Sequence, residues 1–491
     1  MPSDTRKTVQ EYIDETPVWA DGTVLAGTVM TGMQWRIWML ATAGKFFEGM
    51  VIFMTGVALP LISLEFHLKP AEKGLIGAAS LFGILIGATA LGGLADRFGR
   101  KQMFIAEMIL FTVFLIAVTF SPNFYFLIVC LFGMGLALGC DYPTAHMVIS
   151  ESIPSNCRGQ LVLSAFGFQA VGALFGTVVG FLILRTSGAI SDWRLMYMTA
   201  ILPAILVAGG RFFVTQSGQW LVSKGRVVEA EKELARLLRR YPTYPKAFRL
   251  RDPDETTPGP HEKTHFISLF TKKKRRRATI LAAVPWFLQD LGTYGIGIFT
   301  PIILTTAIGP IVLKNNDHRN LAEVIHNSMK AAQGTALIDV LLIVGIVAAV
   351  LLVDRVGRIR LQITGFIGCA IGLFIAALST YFGEGSLKIF LIFAGFMIFN
   401  FMTNLGPNAM TYLLAGEVFP TKVRGIGAGF AASFGKIGAV LTAFFFPILL
   451  KDIGTATVLY VLVGTSLLGA IITARFGIET NGVNLEKVDS D

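Results

Sequence analysis

Charge is what this sequence has least of. Of 491 residues only 15% are Asp, Glu, Lys or Arg, and 53% are hydrophobic; water-soluble domains carry about 25% charged residues. Mean hydropathy is +0.64. Cysteine is scarce as well. Cys130, Cys140 and Cys369 lie in apolar segments and Cys157 in a short basic loop, a pattern that excludes a disulfide framework and a zinc site. There is no Gly-x4-Gly-Lys-Ser/Thr run, which removes the usual nucleotide-driven motors from consideration. No Ser/His/Asp set, Cys/His pair or metal cluster stands out, so the chain does not read as an enzyme and no cofactor or metal is expected. Residues 1–33 mix Asp4, Arg6, Lys7, Glu11, Asp14 and Glu15 with no long apolar run before Gln34, and no cleavable leader is expected.

What is present is apolar sequence in long runs. A helix needs about 20 apolar residues to cross a bilayer. By that rule twelve spans are expected, six near 34–64, 71–95, 102–120, 124–150, 162–185 and 194–215. Six more are expected near 279–305, 332–353, 361–382, 386–415, 425–450 and 455–476. The fold class is therefore an all-α integral membrane protein of twelve transmembrane helices in two pseudo-symmetric six-helix halves. The expected organisation is an N-terminal segment 1–33, halves at 34–215 and 279–476, a linker at 216–278 with an amphipathic helix from Val227 to Leu238, and a tail at 477–491.

The net charge of +10 sits in short loops, which fits an anionic membrane surface and not a nucleic acid. The bases cluster in even-numbered loops: Arg97, Arg100 and Lys101; Arg158; Arg355, Arg358 and Arg360; Lys422 and Arg424. That bias puts those loops and both termini in the cytoplasm, in a plasma (inner) membrane. Lys272 to Arg277, six bases in a row directly before span 7, reads as a membrane-surface anchor on the same side.

One pair of motifs occurs twice. Gly93-Leu94-Ala95-Asp96-Arg97-Phe98-Gly99-Arg100-Lys101 is echoed by Val353-Asp354-Arg355-Val356-Gly357-Arg358, and each is followed by a Glu-x6-Arg-Gly run, Glu151 to Arg158 and Glu417 to Arg424. The repeats are 258 residues apart for the Asp pair and 266 for the Glu pair. Two similar apolar halves with charged hairpins at matching places read as a duplicated transporter. The expectation is a gate. Asp96 and Asp354 accept from helix N-termini, and Arg97, Arg100, Arg158, Arg355, Arg358 and Arg424 pair with Glu151 and Glu417 across the halves. Topology signalling by positive charge alone is the plainer alternative, but it leaves the matched acids unexplained.

On these runs the chain resembles the major facilitator superfamily over nearly its whole length. The Glu-x6-Arg-Gly pairs and Gln216-Ser217-Gly218-Gln219-Trp220-Leu221 resemble its sugar-porter branch, which usually reads Pro-Glu-Ser-Pro-Arg-Trp-Leu at the latter place. Asp141-Tyr142-Pro143, Gln169, Trp286-x3-Asp290-x3-Tyr294, Pro407-Asn408 and Gly435-Lys436-x-Gly438 are similar to phosphate:proton symporters and related bacterial metabolite:proton symporters. That resemblance implies a solute site of Tyr142, Gln169, Trp286, Asp290, Tyr294 and Asn408. It implies proton coupling by Glu48, Asp141 and Asp290. One departure lies in span 1, where the phosphate group has two aspartates and this chain has Glu48 and then Val51, with Lys45 nearby.

The residues allow the same roles on physical grounds. A charge at the bilayer centre costs several kcal/mol, so a retained one faces the bundle interior. Trp286, Asp290 and Tyr294, spaced by four, share a helix face; a packing stripe with one buried acid is the structural alternative. Asp141 sits before Pro143, which is expected to interrupt the helix locally, with Asp141 bonding the freed backbone as the alternative role. Gln169 and Asn408 serve a solute or glue helices together. Lys45 and Glu48, three apart, form either an insertion-easing ion pair or a proton acceptor with its tuning cation. Lys436 attracts an anion or neutralises a facing acid. Glu107 and Asp339 are minor candidates, and His146 reads as a packed residue.

The expected function is proton-coupled transport of a small polar solute by alternating access, with inorganic phosphate ahead of a carboxylate metabolite or a sugar. A non-transporting solute sensor on the same scaffold is the alternative of another class. The partners are the solute, the proton and the lipid bilayer, with no nucleic acid, and the protein is expected to act as a monomer.

Overall fold

Hydrocarbon offers no water to backbone polar groups, so an apolar chain of this length must close its hydrogen bonds inside helices. A computed structural model describes residues 6–16, 28–91, 93–239, 248–251, 267–308, 317–383, 385–419 and 423–480. Twelve helices among them are long and apolar enough to cross a bilayer. The first half is α1 (Gly32–Glu65), α2 (Pro70–Leu91), α3 (Arg100–Thr119), α4 (Phe124–Ser152), α5 (Ser155–Thr186) and α6 (Asp192–Arg211). The second is α7 (Lys273–Ile308), α8 (Asp317–Val356), α9 (Arg358–Leu378), α10 (Ser386–Glu417), α11 (Arg424–Asp452) and α12 (Gly454–Phe476). Met39, Phe120, Leu206, Leu351, Phe390 and Ile471 are among the large apolar side chains left exposed. In water such a surface is a liability; here it faces lipid.

Three helices depart from the expected spans. α8 starts at Asp317, well before residue 332, and runs for 40 residues. A helix longer than the hydrocarbon is thick tilts or projects beyond it. α4 runs unbroken through Pro143, a correction to the expected interruption; membrane helices tolerate proline where neighbouring side chains serve the freed groups. The break comes in α10, which is interrupted at Gly406 and resumes at Pro407, the first helical position where proline is favoured.

Small residues let the helices approach. A Cβ added at Gly49 would meet the Gln169 carbonyl oxygen at 1.9 Å, and one at Gly172 would meet the Phe46 carbonyl oxygen at 1.9 Å, so α1 and α5 touch backbone to backbone. α7 and α11 repeat this in the second half, with Gly435 under Trp286 and Gly438 against the Phe287 carbonyl. The halves meet along α1 with α7, α2 with α11 and α5 with α8.

At the end carrying the repeated motifs, the basic end, a helix from Val9 to Asp14 is capped by Thr8. It docks through Asp14, which accepts from the Ser155 N–H at 2.7 Å at the start of α5. In the linker Val227–Leu237 is helical, with Ala230, Leu234 and Leu237 buried. Arg277 at the start of α7 donates to the Phe476 carbonyl at 3.1 Å, tying that start to the end of α12. The described segments near both termini thus lie at this end.

Gly172→Leu is expected to lower stability by about 1–3 kcal/mol, because the new side chain meets backbone that cannot step aside. Gly464→Leu, with no atom within 4 Å of the added Cβ, should leave it unchanged. Thermal unfolding in detergent, followed by size-exclusion fluorescence, checks the pair.

Candidate functional site

Several polar residues buried at mid-bundle converge on one carboxylate. Glu48 of α1 accepts from Lys45, one turn earlier on the same helix, at 2.5 Å. From α5 Gln169 donates to it at 3.4 Å. The other half reaches the same Oε1 through the Tyr294 hydroxyl of α7 at 3.2 Å and the Lys436 ammonium of α11 at 3.4 Å. Glu48 therefore joins the halves. Lys436 also donates to the Tyr294 hydroxyl and stands over its ring, 4.4 Å from the centroid. Lys45 likewise stands 4.0 Å from the Tyr142 ring centroid.

Asp290 completes the cluster with less support. Its Oδ2 is 3.8 Å from Lys436 Nζ and has no hydrogen-bond partner among the described residues. Two ammonium groups and two carboxyl groups thus share a buried space. A lone charge there would be costly, and a balanced set is the affordable arrangement. Trp286, Asp290 and Tyr294 line one cavity together with Lys45, Tyr142, Gln169, Asn408 and Lys436. Asn408 donates to Asn404 at 2.7 Å and accepts from Gln289 at 3.2 Å. All six solute-site candidates line this cavity, as do both tuning lysines.

A second cavity shares Lys45, Tyr142 and Phe166 with the first and adds Glu48, Asp141, His146 and Tyr412. An aromatic layer stands between the two. Phe166 of α5 stacks on Tyr412 of α10, centroids 4.6 Å apart and planes 16° from parallel. Tyr142, His146 and Trp286 meet the same Tyr412 ring edge-on. Tyr412 carried no sequence signal beyond its spacing of four from Asn408.

Asp141 faces a partner that the sequence did not reveal. It does not bond backbone freed by Pro143. Arg211, fully buried at the end of α6, donates to Asp141, to the Phe104 carbonyl at 2.7 Å and to the Leu40 carbonyl at 3.2 Å. Its guanidinium lies 3.6 Å from the Phe104 ring centroid. Burial makes Arg211 a clamp joining α1, α3, α4 and α6. Glu107 lies alongside, accepting from Thr144 at 2.8 Å.

The repeated motifs at the basic end form two matching clusters. Arg100 donates to the Ala95 carbonyl at 3.0 Å and contacts Asp96 at 2.7 Å and Glu151 at 3.2 Å. Arg358 contacts the Val353 carbonyl at 3.3 Å, Asp354 at 3.0 Å and Glu417 at 3.3 Å. Each pairing closes within its own half, a correction to the expected pairing across the halves. The reason is geometric: Glu151 and Glu417 end the helix packed beside the arginine that follows each tight turn. Gly99 and Gly357 make those turns at φ 104° and 93°, a conformation that favours glycine. The Asp side chains accept from arginine; helix N-termini are served by Gln216, which accepts from Lys101 N–H at 3.0 Å, and by Glu479, which accepts from Arg358 N–H at 3.0 Å. Ser217 donates to Glu151, and Thr480 to Glu417 at 2.5 Å. Arg97 and Arg355 are exposed, and Arg158 donates to the Ile153 carbonyl at 3.4 Å and to Ser155 at 3.3 Å. The side chain of Arg424 lies outside the described residues.

Comparison with known proteins adds a family. The family model described as "Sugar (and other) transporter" matches residues 37–491. The sequence is 28% identical over 458 residues to the niacin transporter NiaP of Acinetobacter baylyi, covering 92% of this chain and 95% of that protein. It is 26% identical over 521 residues to "Probable inorganic phosphate transporter 1-6" of Arabidopsis thaliana, covering 96% of each. The fold is similar to the inward-open structure of the xylose transporter XylE from Escherichia coli, with TM-score 0.73 and 20% identity over 93% of this chain and 99% of that one.

Removing one partner of a buried ion pair strands the other. Arg211→Leu is expected to cost about 3–5 kcal/mol, and Asp141→Leu combined with Arg211→Leu should recover most of it. Thermal melts of the three proteins in the same detergent decide this; equal loss in the single and double variants would contradict the clamp.

Proposed function

The chain belongs to the family of sugar (and other) transporters within the major facilitator superfamily, and from that premise we propose that it is a proton-coupled symporter of a small anion, with inorganic phosphate as the leading substrate. The observation that carries this reading is Lys436, whose ammonium is 3.4 Å from Glu48 and 3.8 Å from Asp290. With Lys45 the cluster holds two cations and two acids, formally neutral when all four are ionised. A monoanion that engages Lys436 leaves one acid without its cation. A proton on that acid restores neutrality inside a medium that penalises net charge. Asp290 is the acid for this role, because its Oδ2 has no hydrogen bond to give up among the described residues. Glu48, by contrast, is held by four donors.

Anion and proton then raise each other's affinity by the same factor, as linkage requires. A proton gradient drives the anion uphill when the two halves rock and release both on the far side. Tyr294 and Gln169 supply donors for the anion's remaining oxygens, and Asn408 lies at the edge of the cavity. The Asp96–Arg100–Glu151 and Asp354–Arg358–Glu417 clusters brace the basic end, and the bases around them put that end in the cytoplasm.

One observation favours a second substrate class. Trp286, Tyr142 and Phe166 wall the cavity with aromatic faces, which suits a planar carboxylate as well as a phosphate, and one relative is named a niacin transporter. Both solutes use the same ammonium and the same proton.

Labelled-phosphate uptake into liposomes holding the purified protein tests the reading. An inward proton gradient should drive accumulation, and Asp290→Asn should abolish it with insertion intact. Lys436→Gln, which removes a charge-assisted hydrogen bond, should weaken phosphate binding roughly 10- to 100-fold. No phosphate uptake together with gradient-driven nicotinate uptake would transfer the same mechanism to the carboxylate. No gradient dependence with any solute would end the proton-coupled reading.

A further inference from the structure

A buried acid lies outside the central cluster and has no part in the mechanism above. Asp339 of α8 is 1% exposed. It lies 17 residues from the basic end of its helix at Val356, as Asp290 lies 17 from Lys273. At about 1.5 Å per residue both acids sit at similar depth, near mid-membrane. Asp339 stands on the seam where α5 of one half meets α8 of the other. Thr177 of α5 is 2.9 Å from its Oδ2, and Asn400 of α10 donates to its Oδ1 at 3.3 Å. Among the described residues, no Lys, Arg, His, Asp or Glu of α1, α5, α7, α9 or α10 makes an ion pair or hydrogen bond with it.

The contacts of Thr177 are informative about protons. Its hydroxyl oxygen is 2.9 Å from Asp339 Oδ2 and 3.0 Å from the Ala173 carbonyl, yet a hydroxyl has one hydrogen. If Asp339 is ionised, Thr177 serves one acceptor and the other contact lacks a hydrogen. If Asp339 carries a proton, Oδ2–H donates to Thr177 and Thr177 donates to Ala173, and both contacts are complete. The pocket thus accommodates either form by turning one hydroxyl.

Asp339 is also tied to the solute cavity. Asn400, Asn404 and Asn408 follow at intervals of four along α10. Asn400 holds Asp339, Asn404 donates to the Leu342 carbonyl of α8 at 2.8 Å, and Asn408 lines the cavity and donates to Asn404 at 2.7 Å. Asn408 at the cavity is thus bonded through Asn404 to α8, the helix that carries the acid.

We propose that Asp339 is a second proton-binding site of the transport cycle, on the seam between the halves and coupled to the solute cavity through the asparagine ladder. It rests on the proton-coupled reading and adds a group to it. Rocking that parts α5 from α8 removes Thr177 from Asp339 and leaves Asn400 as its donor. A proton from water entering the opened seam then forms the O–H bond at Oδ2, and reversal returns it to water. Asp339 is a positioning and coupling residue, since it does not touch the solute.

Infrared difference spectra of the protein in lipid, recorded between acidic and alkaline buffer, read carboxyl protonation without any solute. One carboxyl band should vanish in Asp339→Asn and a different one in Asp290→Asn. Thr177→Val, which keeps the acid and removes its partner, should move the Asp339 band to higher frequency. In the same liposomes Asp339→Asn should lose accumulation of labelled phosphate driven by a proton gradient and retain phosphate counterflow. A variant spectrum superimposable on the wild type, or wild-type accumulation by Asp339→Asn, overturns the proposal. Absence of phosphate uptake by the wild type counts against phosphate as the substrate and leaves the infrared result to decide Asp339.

Discussion

Everything at the centre of this protein is arranged around the Glu48 carboxylate. It sits where lipid surrounds the bundle and water is scarce, and a carboxylate there must be paired. Lys45 and Gln169 pair it from its own half; Tyr294 and Lys436 pair it from the other. One buried charge thereby supplies a polar link between the two halves. Asp290 shares Lys436 with it, so no member of the cluster changes its charge without disturbing the rest. The proposed linkage of anion to proton is a consequence of that constraint.

The same constraint bears on movement. Along α1 with α7 and α2 with α11 the halves approach through glycine, as at Gly56 against the Ile298 carbonyl and Gly74 against the Phe444 carbonyl. Such surfaces separate without stranding polar groups. At the basic end the Arg100–Glu151 and Arg358–Glu417 pairs each close inside one half. Among the described residues, the polar contacts that cross the seam include the Glu48 cluster and the Thr177–Asp339 contact. On the proposed reading, charge neutrality at those two places decides when the halves rock.

Sequence reveals interactions that are local along the chain and hides those that are not. The stripe of Trp286, Asp290 and Tyr294, the Lys45–Glu48 pair and the arginine after each Gly99 or Gly357 turn all follow from spacings within one or two helical turns. Twelve apolar runs gave the fold class for the same reason. Arg211 escaped because its partner Asp141 is 70 residues away on another helix. Glu48 was legible as an acid but not as the joint between the halves, since Tyr294 and Lys436 lie beyond the linker. Pro143 and Gly406 show the limit of breaker rules in a membrane. The proline leaves α4 intact among packed neighbours, while α10 breaks at the glycine beside Pro407.

The central claim is that anion and proton bind together because the Lys45, Glu48, Asp290 and Lys436 cluster must stay neutral. Calorimetric titration of the purified protein with inorganic phosphate, in two buffers of different ionisation enthalpy, measures protons taken up on binding directly. The account predicts uptake of about one proton per anion, lost in Asp290→Asn. Phosphate binding with no proton uptake would contradict it.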